Sequence, residues 1–393
     1  MRLISGDRLR LLHVTPSYFP AVRYGGPIYS VHGLARALVE RGHEVHVFTT
    51  NVDGSGASDV PLNRPVGIDG VNVWYSTARW PRRLCRAPKL LDNISSMFSA
   101  NTIVHLHSVF LWPTWAAARS ARRAKTPYVI SPRGMLIKAL IRQRSQAVKS
   151  AWITLIERSN IERASAIHLT SGLEATELEC FGWQLPPRFV IPNGVDEPVP
   201  RSGDIPEDIR GLITEQPMIL CLGRLSWKKG LDRLLCAFAR TQSGTLAIAG
   251  TDDEGLAPQL KKLCADLRIA DRVRILPRTI IGAEKEHLFG AARAFVMSSY
   301  SENFGNTVLE AMRRGVPVVT TPEVGAAEIV RNSGGGIVTS GDVESLGDAI
   351  SLLEQDPELA AKLGNAGKDY VRANCSWDRV AARMEDLYRI LNC

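Results

Sequence analysis

The residues best placed to do chemistry lie in Ser298 to Arg314, SSYSENFGNTVLEAMRR, where Glu302 and Glu310 bracket the start of a helix. A carboxylate just before a helix N-terminus and another one turn inside it can both reach a ligand whose phosphates rest there. The unpaired amides and the dipole of that end suit an anion. Asn306 or Thr307 is expected to cap the helix, and Leu309 and Met312 give it an apolar side. Helical side chains lean toward the N-terminus, so Glu310, about 6 Å along the axis from Asn306, points back at the same ligand. Within Glu302-Asn303-Phe304-Gly305-Asn306, Gly305 permits close backbone approach, and Phe304 is expected to pack beneath the loop. Two hydroxyl-binding carboxylates beside a phosphate site imply a nucleotide-sugar ligand.

Departure of a diphosphate needs positive charge. Cys221-Leu222-Gly223-Arg224-Leu225-Ser226-Trp227-Lys228-Lys229-Gly230 supplies it where a strand end runs into a helix beginning near Leu231. Arg224 offers a fork of donors and Lys229 a mobile point charge, while Lys228 reads as a solvated neighbour. Asp252-Asp253 lacks the Asp-x-Asp spacing of a metal-bound diphosphate site, and no His/Asp/Glu cluster is visible, so no metal or other cofactor is expected. Tyr24-Gly25-Gly26-Pro27 lies between a strand and a helix, where glycines admit a phosphate or sugar and proline suits the first helical turn. His105 and His107 end a buried strand; they are expected on opposite faces, with His107, at the strand end, the functional one of the two. Arg133, after the next strand, is suited to an acidic acceptor or to the sugar donor, and its guanidinium stays protonated, so it is no base.

Read together, E-x-F-G-x-x-x-x-E followed by AM-x-x-G-x-PV-V resembles the retaining glycosyltransferases of family 4, which have the GT-B fold; GRL-x3-KG at Gly223 to Gly230 fits the same pattern. The resemblance covers nearly the whole chain and is strongest from Leu220 to Thr321. It implies that Glu302 holds the sugar's hydroxyls, Glu310 the nucleotide ribose, and Arg224 and Lys229 the leaving diphosphate. Asn303, Phe304, Gly305, Asn306, Thr307, Gly25, Gly26 and Gly250 would then line the donor site, with Tyr24 and Arg133 toward the acceptor. By position, Pro277-Arg278-Thr279 and Gly325-Ala326 fall near the nucleotide. The family often has a histidine after the strand that here runs into Ser131-Pro132-Arg133-Gly134, and that departure leaves the local role open. In such a transfer the leaving diphosphate itself can take the acceptor's proton. A nucleotide-sugar epimerase and a non-catalytic glycan-binding subunit are the rival readings.

The bulk numbers agree with a globular enzyme of two domains: 393 residues, 45% hydrophobic, and no apolar run long enough to cross a bilayer. MRLISGDRLRLLHVT reads as a lead into a strand rather than a secretory signal. Seven scattered cysteines without CxxC spacing suggest reduced thiols in the cytoplasm, with Cys221, Cys236 and Cys264 in apolar settings. Of the net charge of +8, residues 1–200 carry +10 and the remainder −2. The positive clusters are Arg79, Arg82, Arg83, Arg86 and Lys89; Arg119, Arg122, Arg123 and Lys125; and the run from Arg133 to Lys149. Trp80, Leu84, Leu90 and Leu91 interleave the first, a composition suited to an anionic membrane surface at the inner membrane face or an anionic glycan. No nucleic-acid-binding module accompanies the charge.

The elements that must position these groups are strand-like runs alternating with amphipathic helices, an α/β arrangement of two doubly wound Rossmann-like domains. Expected strands are Leu9 to Thr15, Glu44 to Thr50, Ile103 to Leu106, Tyr128 to Ser131, Ala166 to Thr170 and Phe189 to Pro192. A second series runs Met218 to Leu222, Thr245 to Ala249, Val273 to Leu276, Ala294 to Ser298, Val316 to Thr320 and Gly336 to Thr339. Proline-rich Asp196 to Pro217 reads as the connection, with Asn193-Gly194 a turn before it. The expected organisation is an acceptor-binding domain at 1–197, a nucleotide-sugar domain at 198–375 facing it across a cleft, and a last helix at 376–393 that, by the resemblance, packs back on the first.

Overall fold

Short runs rich in valine, isoleucine and leucine, each followed by an amphipathic helix, are what parallel sheets covered on both faces require. The computed structural model describes residues 8–137, 152–201, 205–214 and 217–392, and most of the basic run from Arg133 to Lys149 lies outside them. The chain divides into two units: Met1–Gly194 with Trp377–Cys393, and Val195–Ser376.

The first unit holds β1 (Arg10–Val14), β2 (Glu44–Thr50), the small pair β3 (Val52–Asp53) and β4 (Gly56–Ala57), β5 (Pro65–Ile68), β6 (Val71–Ser76), β7 (Thr102–His107), β8 (Tyr128–Ser131), β9 (Ala166–Leu169) and β10 (Arg188–Val190). Eight of these form one sheet in the order β10-β9-β8-β7-β1-β2-β6-β5, parallel except where β5 runs against β6. β5 and β6 are not among the expected strands, although the alternating Val71-Asn72-Val73-Trp74 pattern of β6 marks a strand buried on one side. Chain order reverses around β1, and loops at the C-terminal ends of β1 and β7 therefore diverge to open a site.

Helix Trp377–Asn392 completes this unit, with Trp377, Met384 and Tyr388 buried in its core. Arg41 ties it down through Glu385 and Asp378, each at 2.8 Å. Trp377 fits only because Gly33 and Gly194 lack side chains: a Cβ on Gly33 would come within 2.2 Å of its ring, and one on Gly194 within 2.5 Å. Asn193-Gly194, expected as a turn, forms none; Gly194 is instead a clearance for the indole.

The second unit has six parallel strands in the order β13-β12-β11-β14-β15-β16, namely β11 (Met218–Leu222), β12 (Thr245–Ala249), β13 (Val273–Leu276), β14 (Ala292–Met297), β15 (Val318–Thr320) and β16 (Gly336–Val338). The segment read as a connection instead contains helix Glu207–Thr214, whose Ile209 and Leu212 are buried in this core. Apolar Ile209, Leu212 and Ile213 recur at helical spacing there and outweigh the prolines around them. Cys221 and Cys264 are buried as expected; Cys236 is only half-buried.

Candidate active site

In the second unit the loops after β11 and β14 are stitched together, and the stitching explains where the charges sit. Trp227–Lys229 forms one 3-10 turn, and Gly230 follows at φ +59, where a Cβ would lie 2.2 Å from the Ser298 carbonyl oxygen. Ser298 Oγ donates to the Gly230 carbonyl at 3.0 Å, and the Tyr300 amide donates to the Lys228 carbonyl at 2.7 Å. Arg233 binds the pair of loops from below, donating to the carbonyls of Ser298 and Ser299 at 2.6 Å each, with its guanidinium 4.3 Å from the centre of the Tyr300 ring. Held this way, Lys229 Nζ stands 2.5 Å from Glu302 Oε2. Burial raises the Glu302 pKa, but the Lys229 charge and hydrogen bond, with Arg224 and the Phe304 amide, outweigh it and hold the carboxyl below its ordinary value. Arg224 itself is exposed, and Lys228 is half-buried with its ammonium 6.0 Å from the Trp227 ring centre.

The loop carrying Glu302 is pinned on its other side. The Glu302 amide donates to Glu323, and the Gly325 and Ala326 amides donate to Glu302 and Phe304 at 3.0 and 2.8 Å. Phe304 packs under it at 3% exposure, in the core. Gly305 then turns at φ +91 and is itself the N-cap of helix Asn306–Arg313. Neither Asn306 nor Thr307 caps this helix, contrary to expectation: the cap is Gly305, which has no side chain to offer. The left-handed turn at Gly305 makes Asn306 and Thr307 helical residues, half-buried beside Asn303, instead of the residue before the helix. Glu310 stands one turn in, with Oε2 3.1 Å from Lys285 Nζ. At Gly250 a Cβ would meet the Gly223 carbonyl oxygen at 2.0 Å, so this glycine lets the ends of β11 and β12 close together.

The first unit builds a different kind of centre. Residues two apart in a strand share a face, so His105 and His107 point the same way, contrary to the expectation of opposite faces; their ring centroids are 4.1 Å apart. His13, Ser131 and His168 continue the row on β1, β8 and β9, and Tyr388 closes over it from the last helix. All four histidines and the serine are 2% exposed or less. The polarity of the row follows from its ends. His168 Nε2 meets the Ile191 carbonyl at 2.9 Å and must donate, so its Nδ1 accepts from Ser131 Oγ at 2.7 Å. Ser131 Oγ accepts from His105 Nε2, and His105 Nδ1 accepts from the Tyr388 hydroxyl, both at 2.7 Å. On the other branch Arg133 donates to His107 Nδ1 at 3.1 Å, so His107 Nε2 donates to His13 Nδ1 at 2.9 Å. His13 Nε2 has no partner among the described residues.

Burial, with Arg133 adding its charge, lowers His13 to a pKa of about 3, and likewise His168. Burial first, then the neighbouring histidines and Arg133, lower His105 and His107 as well. Arg133, held at φ +56 and bonded also to Asn193 Oδ1 at 2.8 Å, is itself lowered by burial to about 10.

His13, His105 and His107 bring nitrogens within 4.8 Å of one another, a cluster that the sequence reading does not see. His13 Nδ1 and both nitrogens of His105 and of His107 already carry hydrogen bonds. Among the described residues that leaves His13 Nε2 alone of this cluster, one nitrogen where a metal needs several. The donor set fits a hydrogen-bond chain of neutral rings, not a cation site.

Near this row a cavity of about 460 Å³ opens beside the start of helix Gly26–Glu40, walled by Ser17, Tyr24, Pro27, Arg82, Cys85 and Ser108 among others. Tyr24 thus faces a cavity, its hydroxyl accepting from the Gly54 amide at 2.9 Å. Gly25 at φ +68 is the helix N-cap, with nothing near its missing Cβ, and Gly26 is the first helical residue. Within each unit, then, Lys229 meets Glu302 and His107 meets Arg133. His13, His168, Arg233 and Lys285 escaped the sequence reading; only the strand periodicity around His13 and His168 signalled any of them.

Residues 25–194 match the family described as glycosyl transferase 4-like domain, and residues 206–370 match glycosyl transferases group 1. The D-inositol 3-phosphate glycosyltransferase of Streptomyces griseus is 34% identical over 414 residues, covering 96% of this chain and 87% of that protein. Among solved structures, sucrose-phosphate synthase from Thermosynechococcus elongatus matches with a TM-score of 0.76 at 22% identity, covering 98% of this chain and 99% of the other. The Anabaena protein Alr3699/HepE in complex with UDP and glucose matches at 0.73 and 18%, covering 98% and 100%.

Proposed function

The chain belongs to the group 1 glycosyltransferases, retaining family 4, with the GT-B fold and a nucleotide-sugar substrate, and from that premise we propose which residues carry the transfer. Glu302 orients the donor sugar through its hydroxyls. Lys229 and Arg224 neutralise the leaving diphosphate, which rests on the amides at the start of helix Asn306–Arg313. Glu310 and Lys285 flank the ribose. The observation that carries this reading is the Lys229–Glu302 pair at 2.5 Å, on two loops that Ser298 and Arg233 fasten together. A carboxylate kept ionised beside a fixed ammonium is ready to accept sugar hydroxyls on one side while the ammonium meets phosphate on the other.

In the first unit Gly25 and Gly26 serve the donor and Tyr24 and Arg133 the acceptor, with His107 holding Arg133 in place. The acceptor is a growing surface glycan, free or lipid-linked, and the transfer takes place in the cytoplasm. Support for that compartment comes from the six cysteines among the described residues, all free thiols. No helix among the described residues is long and apolar enough to cross a membrane.

A thermal-shift panel of nucleoside diphosphates and nucleotide sugars tests the donor site. One of them at a hundred times its dissociation constant should stabilise the protein by about 2.7 kcal/mol. Lys229→Ala should remove most of that shift. If the whole panel leaves the midpoint unmoved, the assignment of the donor site fails.

A further inference from the structure

We propose that the loop Arg79–Arg86 docks this protein on an anionic lipid bilayer, with Trp80 as the inserted anchor, beside the cavity of the first unit. The inference rests on the transfer reading only for what the docking achieves, namely presentation of a lipid-linked acceptor to that cavity.

The loop is a built feature. Arg79 and Arg86 pair as an antiparallel bridge, the Arg79 amide donating to the Arg86 carbonyl at 2.7 Å. Inside it the Leu84 amide donates to Pro81 at 3.0 Å and the Cys85 amide to Arg82 at 2.8 Å, making the 3-10 turn Arg82–Leu84. Its base is anchored by buried Ala78 and Cys85, packed with Val52, and by the Ala78 amide on Asn51 Oδ1 at 3.1 Å. On this fixed base the Trp80 side chain is 86% exposed, well above every other exposed large hydrophobic residue described. In the sequence Leu84, Leu90 and Leu91 interleave the same basic cluster as Trp80. The fold buries Leu90 completely and leaves Leu84 and Leu91 half-buried, so Trp80 projects by itself.

On the same loop and just beyond it Arg79, Arg83, Arg86 and Lys89 are all exposed, and among the described residues none of the four is in an ion pair. Arg82 turns inward to the Gly56 carbonyl. The nearby acid Asp53 is taken by Arg23 at 3.0 Å, on the turn Val22–Tyr24 where Val22 is also exposed. An exposed indole in a stretch of unneutralised cations matches the interface of an anionic bilayer, where aromatic rings sit at headgroup depth and basic side chains meet phosphates. A glycan explains the geometry less well. A ring that stacks on sugar is backed by protein on one face, and at 86% exposure Trp80 has little protein behind it.

The loop is also part of the cavity wall. Arg82, Arg83 and Cys85 line it together with Tyr24 and Pro27. A bilayer engaged by Trp80 would therefore lie at the rim of the cavity.

The test is flotation of the full chain with phosphatidylcholine vesicles, with and without phosphatidylglycerol, for the wild type, Trp80→Ser and the double variant Arg83→Glu/Arg86→Glu. All three positions are exposed, and thermal melting confirms that the variants fold. We expect binding to the anionic vesicles only, weakened about fivefold or more by each arginine lost and at least as much by loss of Trp80, and reversed by salt. Equal binding to both kinds of vesicle, or variants that bind like the wild type, would overturn the proposal. Trp80-dependent binding to a soluble acidic polysaccharide without vesicle binding would overturn it in favour of a glycan surface. Vesicle binding needs no sugar donor, so its failure leaves the thermal-shift result standing, and a failed thermal shift leaves the docking result standing.

Discussion

The two units place polar groups at the same position, the C-terminal ends of parallel strands, yet satisfy them by opposite means. In the first unit four buried histidines, Ser131 and Tyr388 pass hydrogen bonds along a row of neutral groups, with Arg133 at its rim. In the second, charges are met by charges: Lys229 with Glu302 and Lys285 with Glu310, each side chain 18–25% exposed. Depth explains the difference. Fully buried charge is costly unless paired, so the closed row stays uncharged, whereas the open site keeps ions near enough to water to exchange partners for a ligand. The first centre is closed and uncharged, and the second keeps its ion pairs partly open to water, as the proposed donor site requires.

That comparison can be broken most directly at Lys229 and Glu302. Lys229→Ala and Glu302→Ala should each lower turnover at least tenfold while the fold survives, which circular dichroism checks. Near-normal rates in both variants would leave the ion pair without a catalytic task. Ser131→Ala should do the reverse. It leaves His105 Nε2 and His168 Nδ1 unpaired in the core, which should cost about 2–4 kcal/mol of stability in chemical denaturation; a loss under about 0.5 kcal/mol would mean the row is not a structural network.

Acid should separate the units next. The histidines have folded pKa values depressed below about 6.5, so the unfolded chain takes up protons that the folded unit refuses. Their contribution is complete above about pH 6.5 and is lost as the pH falls toward about 3, at up to roughly 1.4 kcal/mol per pH unit for each ring. Glu177, raised to about 7 by burial and by Glu174, opposes this within the same unit. In the second unit Glu302 is depressed, and its contribution fades only below about pH 4.5. There Glu354, raised by burial to about 7, favours folding as the pH drops from about 7 to about 4.5. Hydrogen exchange of β7 amides should therefore accelerate between pH 6.5 and 5 relative to β11 amides, and parallel behaviour would erase the distinction. The smallest effect is expected at Lys285→Ala, which should raise the sugar-nucleotide KM a few-fold with kcat nearly kept, as for a group that binds ground state and transition state alike.

Much of the second site was legible because it is local. Glu302 and Glu310 lie in one short motif, and Gly305 and Phe304 behave as their types require, one turning left-handed and the other buried. The cap was misread since a glycine at positive φ competes with any side chain for that position. The first site was much less legible. His13, His105, Ser131 and His168 come from four strands, and even the facing of His105 and His107 needed the period of two applied correctly.

What the residues alone determined is the alternation of strands and helices, the paired glutamates and the basic strand-to-helix loop, all set by neighbours within about ten positions along the chain. What only the tertiary structure decided is which distant side chains meet: Lys229 with Glu302, His107 with His13 and Arg133, Tyr388 of the last helix with His105, and Trp80 left in solvent. Those pairings depend on strand order, register and the docking of a terminal helix, which are properties of the packed sheet that spacing along the chain does not encode.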